Sequence, residues 1–331
     1  DFSFADESAK RYCTPKIFNA SPQRLITLGW ETQGSQSMNM SPSGSYAEND
    51  EYLVTDVASM DHVSGLRIGA NIPTISNNKI IWQLGFNYKE SHFAGLDNSN
   101  SLDALNGNTT ISNELKPALR TLDLNTTIFK PLSETSFLIF QGSAAMSGNY
   151  VLPDFQSLSY NRYSAAILWG KKPSDYKQWA IGVARTYRVG ELNYIPIAMF
   201  NYTAPNRKWG TEILFPARAH YRRTFSTRSL LLAGFSLEGQ SYRLNGISND
   251  LFSNELRRGE VKIGVEYQKQ IKGFLWASAQ AGYRYNYSFN VDRLPEGEEF
   301  FRGFFGEQTY RNLGAVTNPV YLQVGIHLVS P

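Results

Sequence analysis

Six acids (Glu31, Asp123, Glu212, Glu238, Glu260, Glu266) and six bases (Arg67, Lys89, Arg218, Arg222, Lys262, Arg284) fall on the polar side of segments in which polar and apolar residues alternate. His220 and His327 share that side. A pore that selects by charge exposes rings of one sign. A balanced set points instead to ion pairs across an enclosed space, because an unpaired charge held away from water is costly. Within the set, RAHYRR (218–223) aims Arg218, His220 and Arg222 to one side, where they can hold a phosphate or carboxylate by charge-assisted bonds or pair with Glu212.

Catalytic patterns are missing from the sequence. There is no nucleophile elbow, no HExxH and no paired-histidine spacing, and His62, His92, His220 and His327 are scattered. ENDEY (48–52) and EGEEF (296–300) cluster carboxylates without the spaced ligands and turn glycine of a calcium loop. No catalytic residue, metal site or cofactor is therefore expected, and the chain reads as a non-enzyme. Cys13 is the single cysteine, which excludes an internal disulfide and leaves a free or buried thiol.

The elements that carry these residues have a period of two, the strand period. KIIWQLGFNYK (79–89) sets Ile80, Trp82, Leu84, Phe86 and Tyr88 against Ile81, Gln83, Gly85, Asn87 and Lys89. The runs 121–128, 260–268 and 319–328 are as regular, and similar runs lie near 24–33, 62–72, 136–147, 160–170, 178–188, 194–203, 209–224, 229–243 and 273–290. No segment has a helical period, so the fold class is all-β. Several strands exceed the usual globular length of about 5 or 6 residues, as barrel strands do.

Which face meets lipid decides the architecture. The polar faces carry Gly, Ser, Asn, Gln and Thr with a few charges, whereas a soluble sandwich would expose abundant Lys and Glu. The apolar faces carry aliphatic residues with aromatics toward the strand ends, and Trp30, Trp82, Tyr88, Trp179, Tyr267, Tyr283 and Tyr285 are the candidate interfacial girdle. In AGYRYNYSFN (281–290) the aromatic face runs on through Tyr287 and Phe289, which are expected to rise beyond the bilayer. Aromatics make up 14% of the chain and charged residues only 18%, yet no run of about 18 apolar residues exists to form a membrane-spanning helix. The reading is a transmembrane antiparallel up-and-down β-barrel.

An even strand number follows if both termini lie on one side. The long connections at 34–58, 92–117, 149–159, 246–255 and 291–318 fall on a common side only if 209–225 is split at Phe215-Pro216, where proline disfavours continuous pairing. That predicts fourteen strands, with twelve as the alternative. With the connection around Glu191, the long connections sum to about −12 and the short turns to about +6 by side-chain counting. The barrel is thus expected over 22–331, in a bacterial outer membrane with periplasmic termini. Residues 1–21 are expected to form a periplasmic segment or a lumen plug. They lack the basic and apolar regions of a signal peptide, so either one has been removed or none is needed. A net charge of +3 without a basic cluster excludes a nucleic-acid footprint.

The alternating strands, PNRKWGTEILFPARAHYR and the closing PVYLQVGIHLV together resemble the uncharacterised outer-membrane β-barrel families of Bacteroidetes-like Gram-negative bacteria, known mostly as domains of unknown function. The resemblance runs from about Pro22 onward and implies location and fold without an activity. The chain ends HLVSP, without the terminal aromatic of proteobacterial barrels. Three functional classes remain: an accessory barrel binding other envelope proteins or lipoproteins, a narrow channel for small polar solutes, and a rim-sited enzyme acting on lipid or protein. Balanced charge on the polar faces favours the first. Outer-membrane lipid and lipopolysaccharide are the surroundings in every case, and FFRGFFGEQTY (300–310) offers adhesive loop surface.

Overall fold

In a computed structural model, which describes residues 13–42, 55–101, 110–151, 161–187, 192–244, 252–295 and 312–330, the alternating segments pair into one closed sheet. The strands are β1 (Arg24–Gln33), β2 (Gln36–Pro42), β3 (Asp56–Met60), β4 (His62–Ser76), β5 (Ile81–Ala94), β6 (Leu119–Pro131), β7 (Ser136–Gly148), β8 (Asn161–Ser174), β9 (Lys177–Thr186), β10 (Asn193–Thr203), β11 (Trp209–Phe215), β12 (Arg218–Ser226), β13 (Ser229–Arg243), β14 (Phe252–Lys272), β15 (Leu275–Pro295), β16 (Asn312–Val316) and β17 (Val320–Val329). β1 pairs antiparallel with both β4 and β17, and β17 with β15, so the ring from β4 through β15 closes. β2, β3 and β16 prolong β1, β4 and β17 beyond the ring and pair with one another. Fourteen strands therefore wall the barrel. Phe215-Pro216 is the turn between β11 and β12, which settles the strand number on fourteen.

Alternation assigns the faces. Leu124, Ile181, Ile263 and Ile326 are each more than half exposed on the outside, although all are strongly apolar. A continuous belt of that kind is stable only against lipid, and a closed ring leaves no unpaired backbone edge within it. The barrel thus spans a membrane. Both ends of the ring, Arg24 and Val329, lie at the end with the short turns, here the turn end; the opposite end is the loop end.

Several segments read as loops are structured. β2, β3, β16 and the first residues of β14 occupy stretches assigned to connections, and α1 (Ile111–Leu115) is a helix of 5 residues where none is expected. Their alternation continues beyond the lipid. Met38, Met40, Met60, Ile111, Leu115, Tyr242, Leu256, Phe289 and Val291 meet in an apolar cluster at the loop end, on the side of β2, β3 and β13–β15. Phe289 belongs to it because the β14–β15 register shifts at Gly259/Glu260, leaving Tyr287 as an extra residue. One inserted residue moves everything after it to the other face. Phe289 is accordingly buried inside the barrel, off the outward aromatic face on which unbroken alternation places it.

Wall height is uneven. β14 and β15 have 21 residues each and β13 has 15, whereas β11 has 7 and β12 has 9. At about 3.3 Å per residue and a tilt of about 40°, β11 rises roughly 18 Å, less than the apolar band of about 25 Å. Beyond the tip of that hairpin, β13 leans across the lumen to β7, where Gly148 pairs with Arg243 and Gln240 Nε2 donates to Ser147 Oγ at 2.5 Å.

At the turn end, residues 13–23 form a strap. Cys13 N donates to Ser133 O (3.1 Å), Phe18 N to Asp175 O (2.7 Å), and Asn19 Nδ2 to Arg207 O (2.6 Å), and Ser21 bonds Glu212 through both its backbone N and its Oγ (2.9 Å each). The strap follows the rim from the β6–β7 turn to β11. The acidic stretches 48–52 and 296–300 and the aromatic stretch 300–310 lie outside the described residues.

Replacing Leu124 by Arg is expected to lower the folding free energy in lipid vesicles by roughly 2–4 kcal/mol, as for a cation at the bilayer midplane. A change within about 0.5 kcal/mol, as for a water-exposed site, would show that this face does not meet lipid.

Candidate functional site: a divided lumen

Inward residues of β1, β4, β5, β13, β14, β15 and β17 converge on one side of the lumen. Glu31 on β1 is the hub. It accepts bonds from Arg67 Nη2 (2.9 Å), Lys262 Nζ (2.7 Å) and Gln33 Nε2 (3.0 Å), and from Arg284. Arg284 also pairs with Glu260 and, at 3.1 Å, with Glu238 Oε2. Glu238 accepts from Lys89 Nζ at 2.9 Å. Glu31, Glu260, Lys262 and Arg284 are all almost fully buried. Three carboxylates and four cations from the sequence set thus form one network, and Arg258 adds a fifth cation through Glu260.

Space for this network depends on small residues. Gly264 faces Tyr321, and a Cβ there would collide with the Tyr321 hydroxyl. The Tyr321 ring in turn carries Lys262 Nζ 4.4 Å from its centre, a cation–π contact within the lumen. Gln323 completes the Lys262 shell at 2.6 Å.

Other residues of the set lie apart from the hub. Glu212 pairs with Arg222, which also donates to Thr203 Oγ1 at 2.7 Å, and Glu266 pairs with Arg24. His327 bonds Ser278 Oγ (2.8 Å) and Thr27 Oγ1 (3.1 Å), and His220 is half-buried on β12 between Arg218 and Arg222. Asp123 does not join the ion pairs: its Oδ2 accepts from the amides of Asn87 (3.1 Å) and Asn125 (3.2 Å). The girdle residues split into two belts. Trp82, Trp179 and Tyr267 lie toward the turn end of their strands and Trp30 and Tyr88 toward the loop end, whereas Tyr283 and Tyr285 lie near the middle of the long β15, Tyr283 level with Val320 at the loop end of β17.

Sequence reading misses Arg24, Arg258 and the pairs Arg162–Glu255 and Arg257–Asp292. Arg24 and Arg258 lie at or just before the first residues of predicted strands. Glu255 and Asp292 lie in stretches assigned to loops. Continuing the β14 alternation backward from Glu260 would have placed Arg258 inward.

The other half of the lumen is a cavity of about 470 Å³. Asn71, Asn87, Asp123, Asn125, Gln141 and Ser143 of β4–β7 form a polar wall, and Ala184, Ile195, Ile197 and Leu214 of β9–β11 an apolar one. Its lining reaches Pro216, Ala217 and Arg218 at the tip of the low hairpin and Leu237 beside it, where Leu237 N donates to Ala217 O at 2.8 Å. Toward the turn end it rests on a cluster of Phe129, Phe137, Leu168, Ala180 and Ile197, in which Cys13 of the strap is also buried.

Exchanging Arg284 for Met, which keeps much of the volume, leaves Glu31, Glu238 and Glu260 short of a cation. Folding stability measured by denaturant titration is expected to fall by about 3–5 kcal/mol, the cost of breaking a buried pair from one side. A loss below about 1 kcal/mol would mean that the network is hydrated like a surface ion pair.

No protein-family model matches the chain, and a search of curated proteins finds no match. Among solved structures it is similar to an outer membrane channel from Pseudomonas putida F1 (12% identity, 94% of this chain and 98% of that one, TM-score 0.36). It is also similar to the Pseudomonas putida toluene transporter TodX (8% identity, 97% and 95%, TM-score 0.34). The Escherichia coli outer membrane protease OmpT is a further likeness (6% identity, 93% and 97%, TM-score 0.28). At TM-scores this low the likenesses do not bear on what this barrel does, and its fold rests on its own strand pairing.

Proposed function

We propose that the protein is a narrow channel for small solutes in the bacterial outer membrane, with its chain ends on the periplasmic side. The observation that carries this reading is the cavity of about 470 Å³ beside the ion-pair network. A barrel that served only as a scaffold would gain stability by filling that half as it fills the other. The network then acts as a fixed partition that holds the wall open on the cavity side. The low β11–β12 hairpin marks the way in from the loop end, and the strap over the apolar floor marks the way out. No catalytic step is part of the proposal.

A second reading, an accessory barrel that binds envelope proteins, draws on the loop end. There β2, β3 and β16 extend the sheet past the ring around an apolar cluster, which makes a raised platform. That reading expects a stable complex in native membranes and no flux.

The strap gives the test. Cys13 N lies 3.1 Å from Ser133 O, so a Ser133→Cys substitution sets two thiols on adjoining backbones. Burial pushes the Cys13 thiol up, against the pull of Lys172, so oxidation is best run at alkaline pH. In proteoliposome swelling with urea or glycerol, the channel reading expects flux in the reduced protein, a several-fold fall on oxidation, and recovery with reductant. No flux in the reduced protein would overturn it.

A further inference from the structure

We infer that the outer wall at the β8–β9 hairpin binds the headgroup of an anionic glycerophospholipid. Near the turn end the outward strand positions carry exposed cations, among them Lys130, Lys171, Lys177, Arg223 and Lys269. None of these five forms an ion pair with a described residue, and no described outward strand position at that end holds an acid. Asp175, in the turn of the β8–β9 hairpin, pairs with the buried Lys172 at 3.2 Å. The loop end of the wall is different: there the outward Glu90 lies 2.9 Å from Arg120 Nε and 3.0 Å from His92 Nε2. Cations in excess at the edge of an apolar belt have no protein anion to meet, and the groups beside them are lipid headgroups.

Two of these cations stand together. Lys171 pairs opposite Trp179, and Lys177 lies two residues before Trp179 on the same face, so the two ammoniums are diagonal neighbours. Aromatic rings hold both. Lys171 Nζ is 5.8 Å from the centre of the Trp169 ring and Lys177 Nζ 5.6 Å from that of Phe200, while Trp169 meets Trp179 edge to face at 5.7 Å. A cation resting on a ring keeps N–H donors for a second partner. A phosphodiester can take a donor from each ammonium while its glycerol and first acyl carbons cover the tryptophans, whose rings sit at headgroup level. A zwitterionic headgroup brings its own cation to the same place, so the two ammoniums discriminate against it. The choice of glycerophospholipid over lipid A as the source of the phosphate rests on the proposed periplasmic placement of the chain ends, since the turn end then faces the phospholipid leaflet.

The probe is phosphatidylglycerol, offered with equimolar phosphatidylcholine of the same acyl chains, and bound lipid is counted by native mass spectrometry of the detergent-solubilised full chain. Phosphatidylglycerol is expected to be retained at least about tenfold over phosphatidylcholine, since each nearby cation contributes roughly fivefold. Replacing Lys171→Gln and Lys177→Gln together is expected to lower that preference at least about fivefold. Lys116→Gln, which removes an exposed cation just after α1 at the loop end, is expected to leave it unchanged. Heat-modifiable gel mobility shows that each variant is folded. Equal retention of the two lipids, an unchanged preference in the double variant, or an equal fall in Lys116→Gln would each overturn the inference. Stronger retention of lipid A than of phosphatidylglycerol would overturn it as well, by assigning the phosphate to lipopolysaccharide. A C-terminal epitope probed on intact cells tests the placement by itself: an exposed epitope together with a preference for phosphatidylglycerol rejects the placement and leaves the headgroup site.

Discussion

In a bilayer core no water is present to satisfy a backbone N–H or C=O, so every such group must be paired by the protein itself. That constraint closes β17 onto β1 over the register Arg24–Val329 to Gln33–Tyr321. Once the ring is closed, strand alternation divides each wall segment between lipid and lumen, and all else in the structure follows from what the lumen side contains. Fourteen strands enclose more space than small side chains can fill. The charges, the glycines and the strap are three ways in which this chain deals with that space.

Filling is uneven, and the unevenness has a physical source. On the β1, β14, β15 and β17 side, long cationic side chains reach Glu31, Glu238 and Glu260, and Glu31 and Glu260 are almost fully buried. On the β5–β11 side the inward residues are mostly Asn, Ser, Thr, Gln, Ala and Ile, too short to meet across the lumen. The ion pairs are costly to desolvate, yet once formed they leave little freedom to the strands that carry them. The short hairpin and the lean of β13 toward β7 are compatible with this layout, because the upper wall is stabilised by its own apolar cluster.

Much of the wall was legible in the sequence because the alternation of KIIWQLGFNYK and its counterparts states which side chains meet lipid. Glu31, Arg67, Lys89, Glu238, Glu260, Lys262 and Arg284 could be grouped as inward without knowing their partners. Their mutual contacts could not be read, since register across the lumen depends on shear and tilt, which no single strand encodes. Phe289 was misplaced because a bulge leaves no mark in a run of alternating aromatics. The loop-end cluster was hidden because above the lipid its strands turn Ser and Asn outward, and MNMS then resembles a loop. Asp123 looked like one more member of an ion-pair set; only its neighbours Asn87 and Asn125 distinguish it.

The central claim is a lumen divided into a half closed by ion pairs and a half left as a cavity. Cysteines placed singly at Ser143, Ser164 and Gln323 in vesicle-embedded protein, with Cys13 replaced by Ala, test it through reaction with a small charged methanethiosulfonate. The account expects rapid modification at positions 143 and 164, which line the cavity, and little at 323, which sits against Lys262 in the network. Equal rates at all three positions, or protection at 143 and 164, would contradict it.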